Sequence, residues 1–129
     1  MKLLLAISLF FSSTVLNAAP TFQVADKSRT IEIIGVVDGG IIEQAAKVRS
    51  LANTSTDPIY MLINSPGGSV MPGLIFLDAM KSAQARGVKF YCASSVLAAS
   101  MAFIIYNQCD GRVAFENTRL LFHPMRISV

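Results

Sequence analysis

The sequence predicts an α/β domain with a largely parallel sheet, and two observations carry this prediction. Short β-branched or apolar runs alternate with segments whose apolar residues recur at helical spacing, in the order strand, helix, strand, helix, strand. That alternation is typical of parallel strands covered by the helices that connect them. With 129 residues, 53% of them hydrophobic, the chain forms one domain at most and can bury a core.

The first strand and helix follow a polar lead-in. Residues 30–37 are β-branched and apolar, which predicts a strand. Asp38 is placed to cap the next helix, whose apolar face is formed by Ile41, Ile42, Ala45, Val48 and Leu51. Residues 53–58 end that helix.

The second strand ends in a diglycine turn, around which the chain is organised. Residues 59–63 are an apolar run that stops before Pro66-Gly67-Gly68, and residues 74–86 have helical spacing with Gly87 as the stop. Glycines between a strand and a helix let backbone N–H groups face a negatively charged ligand. The alternative is that Pro-Gly-Gly is only a turn.

Later elements bring two polar residues into reach of each other. Residues 88–93 predict a strand, and the segment from Ala98 to Tyr106 predicts a buried helix with Ser100 in its first turn. Residues 112–115 and 119–123 predict two further strands. A helix of about ten residues spans ~15 Å and a five-residue strand returns ~16 Å, so Ser100 and His123 can become neighbours.

The first nineteen residues predict a secretory signal peptide. Lys2 precedes an apolar run over 3–11, and a polar stretch ends in Asn17-Ala18-Ala19. The predicted organisation is therefore a signal peptide over 1–19 and one domain over 20–129, in the periplasm or secreted. An uncleaved membrane anchor is the alternative, although the run is shorter than the ~20 residues of a membrane span.

The two cysteines and the charge exclude several classes of site. An oxidising compartment permits a disulfide, but Cys92 in an apolar strand and Cys109 at the end of an apolar helix favour two separate buried thiols. Without a CxxC or histidine-rich cluster, no metal is predicted. The net charge of +3 is scattered, so nucleic acid is not a predicted partner, and the lack of a GxxxxGK[ST] motif predicts no nucleotide. No cofactor is predicted.

Four short motifs occur in order along the chain: Ile63-Asn64-Ser65-Pro66-Gly67-Gly68, Asp78-Ala79-Met80, Ala98-Ala99-Ser100-Met101 and Leu121-Phe122-His123. The proteolytic subunit of the Clp protease has similar motifs in the same order, and the chain resembles the front half of that family's domain over residues 30 to about 124. The resemblance implies a crotonase-like spiral of strand and helix units. It also implies a serine-type endopeptidase that acts on peptides or unfolded proteins.

Carried over residue by residue, the resemblance makes Ser100 the nucleophile and His123 the general base. The backbone N–H groups of Gly68 and Met101 would form the oxyanion hole. The chemistry is consistent, because a hydroxyl is a poor nucleophile until a positioned imidazole takes its proton. Alone, the serine is typical of a helix cap and the histidine of a strand end.

The sequence departs from the family pattern in three ways. The aspartate that completes the triad follows the histidine in the family, and no acid occurs among residues 124–129. The family's handle helix and closing strands would also lie after His123, so the chain is expected to form a partial domain. Without those segments we expect a homo-oligomer but not a sealed ring. Ala102 stands where the family has glycine. An exported chain would also work apart from the ATP-driven unfoldase of its cytoplasmic relatives.

Rival classes remain open. The foremost is a catalytically impaired crotonase-like module that binds peptides or assembles with a fuller subunit, which the missing aspartate supports. A serine and lysine peptidase is disfavoured, because the last lysine, Lys89, precedes the serine. Acyl-CoA chemistry, which uses a similar glycine oxyanion hole, is also disfavoured, because the presence of both Ser100 and His123 would then be a coincidence.

Overall fold

The computed structural model describes residues 26–124, which form an α/β fold with two parallel sheets. A 3₁₀ turn, Lys27–Arg29, precedes the regular elements. These are β1 (Thr30–Ile34), α1 (Ile41–Thr54), β2 (Ile59–Asn64), α2 (Val70–Ala85), β3 (Phe90–Ser94), β4 (Leu97–Ala99), α3 (Met101–Gln108), β5 (Gly111–Ala114) and β6 (Arg119–Leu121). The main sheet has the order β1-β2-β3-β5, and β4 pairs with β6 in a second sheet. The predicted fold class is confirmed.

The core lies between the main sheet and the helices. In β2 the alternate residues Ile59, Met61 and Ile63 are fully buried, as expected for a central strand. Buried residues of α1 and α2, including Val48 and Phe76, pack into the same cluster. Burying an aliphatic or aromatic side chain of this size contributes about 1.5–3 kcal/mol. This core fixes the positions of β2 and β3, whose carboxyl ends lead into the loops that hold the candidate site.

Several boundaries and faces differ from the prediction. The regular part of β1 ends at Ile34, and Val37 forms only an isolated bridge with Gly68. Helix α2 begins at Val70, four residues earlier than expected. Ile42 and Leu74, which were predicted on apolar faces, are exposed. Asp38 does not cap α1; its carboxylate accepts a hydrogen bond from Gly40 N–H at 2.9 Å and closes a turn before the helix.

Strand β4 was not predicted, and it changes the setting of Ser100. Alanine has low strand propensity, so Ala98 and Ala99 suggested the start of a helix. Tertiary hydrogen bonds override that preference, since Ser65 N–H donates to the Leu97 carbonyl at 2.8 Å and Ala99 N–H donates to the Ser65 carbonyl at 3.0 Å. Ser100 therefore stands between a strand and a helix.

The expectation of two separate thiols is wrong, because Cys92 and Cys109 form a disulfide with a Cα–Cα distance of 6.1 Å. The chain that follows α3 returns to β3, the strand that holds Cys92, because Asp110 N–H donates to the Phe90 carbonyl at 2.9 Å. Spacing along the chain does not reveal this proximity. The predicted signal peptide lies outside the described residues. Within 26–124, no helix has the length and apolar character needed to cross a membrane.

Candidate active site

Ser100 stands at a sharp turn between β4 and α3. Its backbone has φ 55° and ψ −125°, and it is the one non-glycine residue with positive φ in the described part of the chain. Such a conformation costs about 1–3 kcal/mol and persists only where neighbouring contacts enforce it. Here the Ser100 N–H donates to the Leu121 carbonyl at 2.9 Å. A strained strand-to-helix turn that presents a serine is the geometry of a nucleophile elbow.

The diglycine turn is in direct contact with this elbow. A Cβ added to Gly67 would lie 2.6 Å from Ser100 Cβ and 2.7 Å from the Ala99 carbonyl oxygen. Gly67 also has φ 90°, which a side chain would strain. Only glycine therefore allows the turn to approach the serine this closely.

Two backbone N–H groups flank the serine. Val37 bonds to the residues on either side of Gly68: Val37 N–H donates to Gly67 at 2.8 Å, and Ser69 N–H donates to Val37 at 2.7 Å. In a parallel bridge of this kind, the N–H of Gly68 itself points away from Val37. The N–H groups of Gly68 and Met101 enter none of the turn and loop hydrogen bonds of residues 26–124. Met101 is the first residue of α3, where an N–H has no intrahelical acceptor.

His123 approaches the serine from β6. The bond from Ser100 N–H to Leu121 places the histidine two residues beyond the contact point, and the Phe122 ring lies 6.1 Å from that of Phe103. His123 Nδ1 is 2.9 Å from the Pro124 carbonyl oxygen. When Nδ1 carries the proton it donates to that carbonyl, and Nε2 is left as an acceptor.

These residues border one cavity of about 180 Å³, lined by Gly68, Val70, Ser100, Met101, Ile104, Phe122 and His123. The structure thus brings together all four residues selected from the sequence. No hydrogen bond joins the Ser100 hydroxyl to the His123 ring among the described residues, and His123 is exposed. Catalytic hydrogen bonds are often long or unformed in the absence of substrate.

Two carboxylates upstream of His123, those of Asp78 and Asp110, form ion pairs away from the cavity. Asp78 pairs with Arg49 at 3.1 Å between α1 and α2, and Asp110 lies 3.6 Å from Lys89 at the far end of the sheet. Neither lines the cavity. Over residues 26–124, no group of three or more His, Cys, Asp or Glu side chains is arranged to hold a metal.

The sequence reasoning missed the apolar wall of the cavity and the contact made by Gly67. Val70, Ile104 and Phe122 come from three different elements, and no spacing along the chain predicts that they meet. For Gly67 a signal was present, because paired glycines after a strand indicate close backbone approach. Its partner, however, lies more than thirty residues away.

The fold and this site define a class of protein: a crotonase-like α/β spiral in which a glycine turn and a helix start face a serine elbow. The sequence model of the family described as Clp protease matches residues 16–128. The chain belongs to the Clp protease family.

Named relatives and solved structures agree with this membership. The chain is 37% identical over 94 residues to the ATP-dependent Clp protease proteolytic subunit 2 of Pseudomonas aeruginosa. The matched region covers 67% of this chain and 45% of the relative. Identity is 45% over 71 residues to subunit 2 of Prochlorococcus marinus (strain MIT 9313), covering 54% and 34% of the two chains. The chain therefore spans less than half the length of these relatives.

Two solved structures share the fold. The ClpP protease catalytic domain from Plasmodium falciparum superposes with a TM-score of 0.68 and 29% identity, over 75% of this chain and 56% of that one. ClpP1 from Listeria monocytogenes gives a TM-score of 0.62 and 28% identity, over 70% and 54%.

Proposed function

We propose that this protein is a serine-type endopeptidase in which Ser100 is the nucleophile and His123 the general base. The observation that carries the proposal is the strained backbone of Ser100 beside two N–H donors, in a cavity that His123 also borders. Strained non-glycine residues cluster at active sites, where the surrounding contacts hold them in place. Membership of the Clp protease family supports the same chemistry.

The proposed reaction has two stages, acylation of the serine and hydrolysis of the acyl-enzyme. Nε2 of His123 takes the Ser100 proton as the hydroxyl attacks the peptide carbonyl, and the N–H groups of Gly68 and Met101 stabilise the negative oxygen that forms. The histidine then gives its proton to the leaving amine, and the acyl-enzyme is hydrolysed by water. The apolar walls from Val70, Ile104 and Phe122 suit an uncharged side chain next to the bond that is cut. The substrate is a peptide or an unfolded protein.

Active-site labelling tests this proposal. A serine-directed fluorophosphonate should label the wild-type protein, and Ser100→Ala should abolish labelling without unfolding the chain. His123→Ala should lower the labelling rate by ~10² or more, the usual scale for a lost general base. Ser69→Ala is the matched control, because its exposed hydroxyl lies beside the same glycine turn and should not matter.

A second candidate is the catalytically impaired peptide-binding or assembly module. The absence of a bond between Ser100 and His123 within the described chain is the observation that favours it. A folded wild-type protein that binds peptides but resists the fluorophosphonate would establish this function instead.

We also propose that the protein works outside the cytoplasm as a homo-oligomer without an ATP-driven unfoldase. The Cys92–Cys109 disulfide supports this location, because such bonds persist in oxidising compartments. Fusion of residues 1–25 to an export-dependent alkaline phosphatase should give active enzyme, and Leu4→Arg should abolish it. Sedimentation of the mature chain would give its oligomeric state, and a monomer would contradict the assembly proposal.

A further inference from the structure

Asn64, the last residue of β2, makes a set of hydrogen bonds that the proposed reaction does not use. Its side-chain oxygen accepts from Ser95 N–H at 3.0 Å, from Val96 N–H at 2.9 Å and from the Ser94 hydroxyl at 3.3 Å. Its amide nitrogen donates to the Ser95 hydroxyl at 3.0 Å. All four bonds therefore reach one segment, the corner between β3 and β4.

That corner determines where β4 runs, and β4 ends at the elbow. Beyond the corner, Ser65 continues the attachment through its two backbone bonds to Leu97 and Ala99. Ser65 also accepts a hydrogen bond from Gly67 N–H at 3.0 Å through its buried hydroxyl. The Asn64-Ser65 pair thus ties the glycine turn on one side to the elbow on the other.

The proposed oxyanion hole takes one N–H group from the glycine turn and the other from the elbow. Gly68 follows the turn that Ser65 holds, and Met101 follows the elbow that β4 carries. Their N–H groups stabilise one oxygen only if their separation is fixed, and a shift of about 1 Å can cost ~10² in rate. We infer that Asn64 is a positioning residue, which sets β4 against the glycine turn and so brings the Gly68 and Met101 N–H groups into register. This inference rests on the proposed function.

Substitutions that keep or remove the acceptor test it. Asn64→Leu has a similar size but leaves the Ser95 and Val96 N–H groups without their acceptor. Asn64→Asp keeps an oxygen for both. We expect Asn64→Leu to lower the fluorophosphonate labelling rate constant at saturating probe at least ~30-fold, with half-saturation changed less than ~3-fold, and Asn64→Asp to stay within ~5-fold of wild type.

A remote variant separates positioning from general loss of stability. Arg29→Met also removes side-chain bonds to three backbone carbonyls, those of Leu51, Asp57 and Pro58, at the opposite end of β2. It should lower the melting temperature as Asn64→Leu does, yet label at the wild-type rate while folded. All rates are measured well below each variant's melting temperature.

The outcomes are distinct. Equal labelling of Asn64→Leu and wild type, or an equal loss in Arg29→Met, would overturn the positioning role while leaving the proposed function intact. A wild-type protein that is not labelled would overturn the proposed function and this inference with it.

Discussion

At the scale of single residues, the strained backbone of Ser100 lowers the stability of the fold while it positions the hydroxyl in the cavity. The backbone of Ser100 holds a conformation that glycine adopts without strain and that costs a serine about 1–3 kcal/mol. A residue whose surroundings force such a conformation is usually retained for its function, so relieving the strain should separate the two properties.

We therefore predict that Ser100→Gly is more stable than Ser100→Ala by about 1 kcal/mol, the strain relieved less the added entropy of an unfolded glycine. Both variants lack the hydroxyl and should be unlabelled. Urea unfolding of the two proteins measures the difference. Equal unfolding midpoints, with equal slopes, would show that the Ser100 backbone is not strained.

Gly67 gives a second residue-scale prediction. In Gly67→Ala the added methyl group meets backbone atoms and Ser100 Cβ, and φ 90° is unfavourable for alanine, so we expect at least ~2 kcal/mol of lost stability and no labelling. Gly39→Ala is the matched control, because nothing lies within 4 Å of its added Cβ. A Gly67→Ala protein that melts and labels like Gly39→Ala would contradict the close contact.

At the scale of elements, the disulfide closes a loop that contains Ser100. Cys92 and Cys109 are 17 residues apart, and β4, Ser100 and α3 all lie between them. The bond restricts the unfolded chain and fixes the end of α3 to the sheet. Closing a loop of about this length contributes ~3 kcal/mol in the chain-entropy view.

Reduction should accordingly lower the free energy of unfolding by about 3 kcal/mol. Urea unfolding with and without a phosphine reductant measures the change. The double variant Cys92→Ala/Cys109→Ala is the control, since the reductant should not alter its unfolding. If the reductant leaves the urea unfolding transition of the wild-type protein unchanged as well, the disulfide is absent in solution.

The elements also show how far the sequence could predict the structure. The buried strand at 59–63 and the helix after the diglycine turn were predictable, because apolar periodicity and turn residues act locally. Strand β4 was not, since hydrogen bonds from Ser65 impose extended structure on two alanines. Ser100 and His123 were selected by family resemblance. Their shared cavity depends on the β4–β6 pairing, which no local pattern encodes.

At the scale of the whole molecule, Asp110 links three elements and should influence acid stability. Partial burial on its own would raise the pKa of its carboxyl group. Hydrogen bonds from Phe90 N–H and the Gln84 side chain, with the charge of Lys89, outweigh burial and hold that pKa below its usual value near 3.8. The carboxylate therefore favours the folded state above the pKa of the unfolded chain, and this contribution is lost as the pH falls through the folded-state pKa.

We predict that Asp110→Asn is less stable than wild type at pH 6–7, and that the difference shrinks as the pH is lowered below about 4. Thermal unfolding across pH 2–7 measures both proteins. A difference that stays constant down to pH 2 would mean that Asp110 acts through packing rather than charge.

The bond between Cys92 and Cys109 has one more consequence, which concerns any cleavage of the backbone near Ser100. A protease that cleaves anywhere from residue 93 to 108 leaves the two fragments covalently joined. Such a nicked chain would keep its mass apart from one added water and would migrate as a single band on a non-reducing gel. Cleavage beside Ser100 would become visible on a gel only after the sample is reduced.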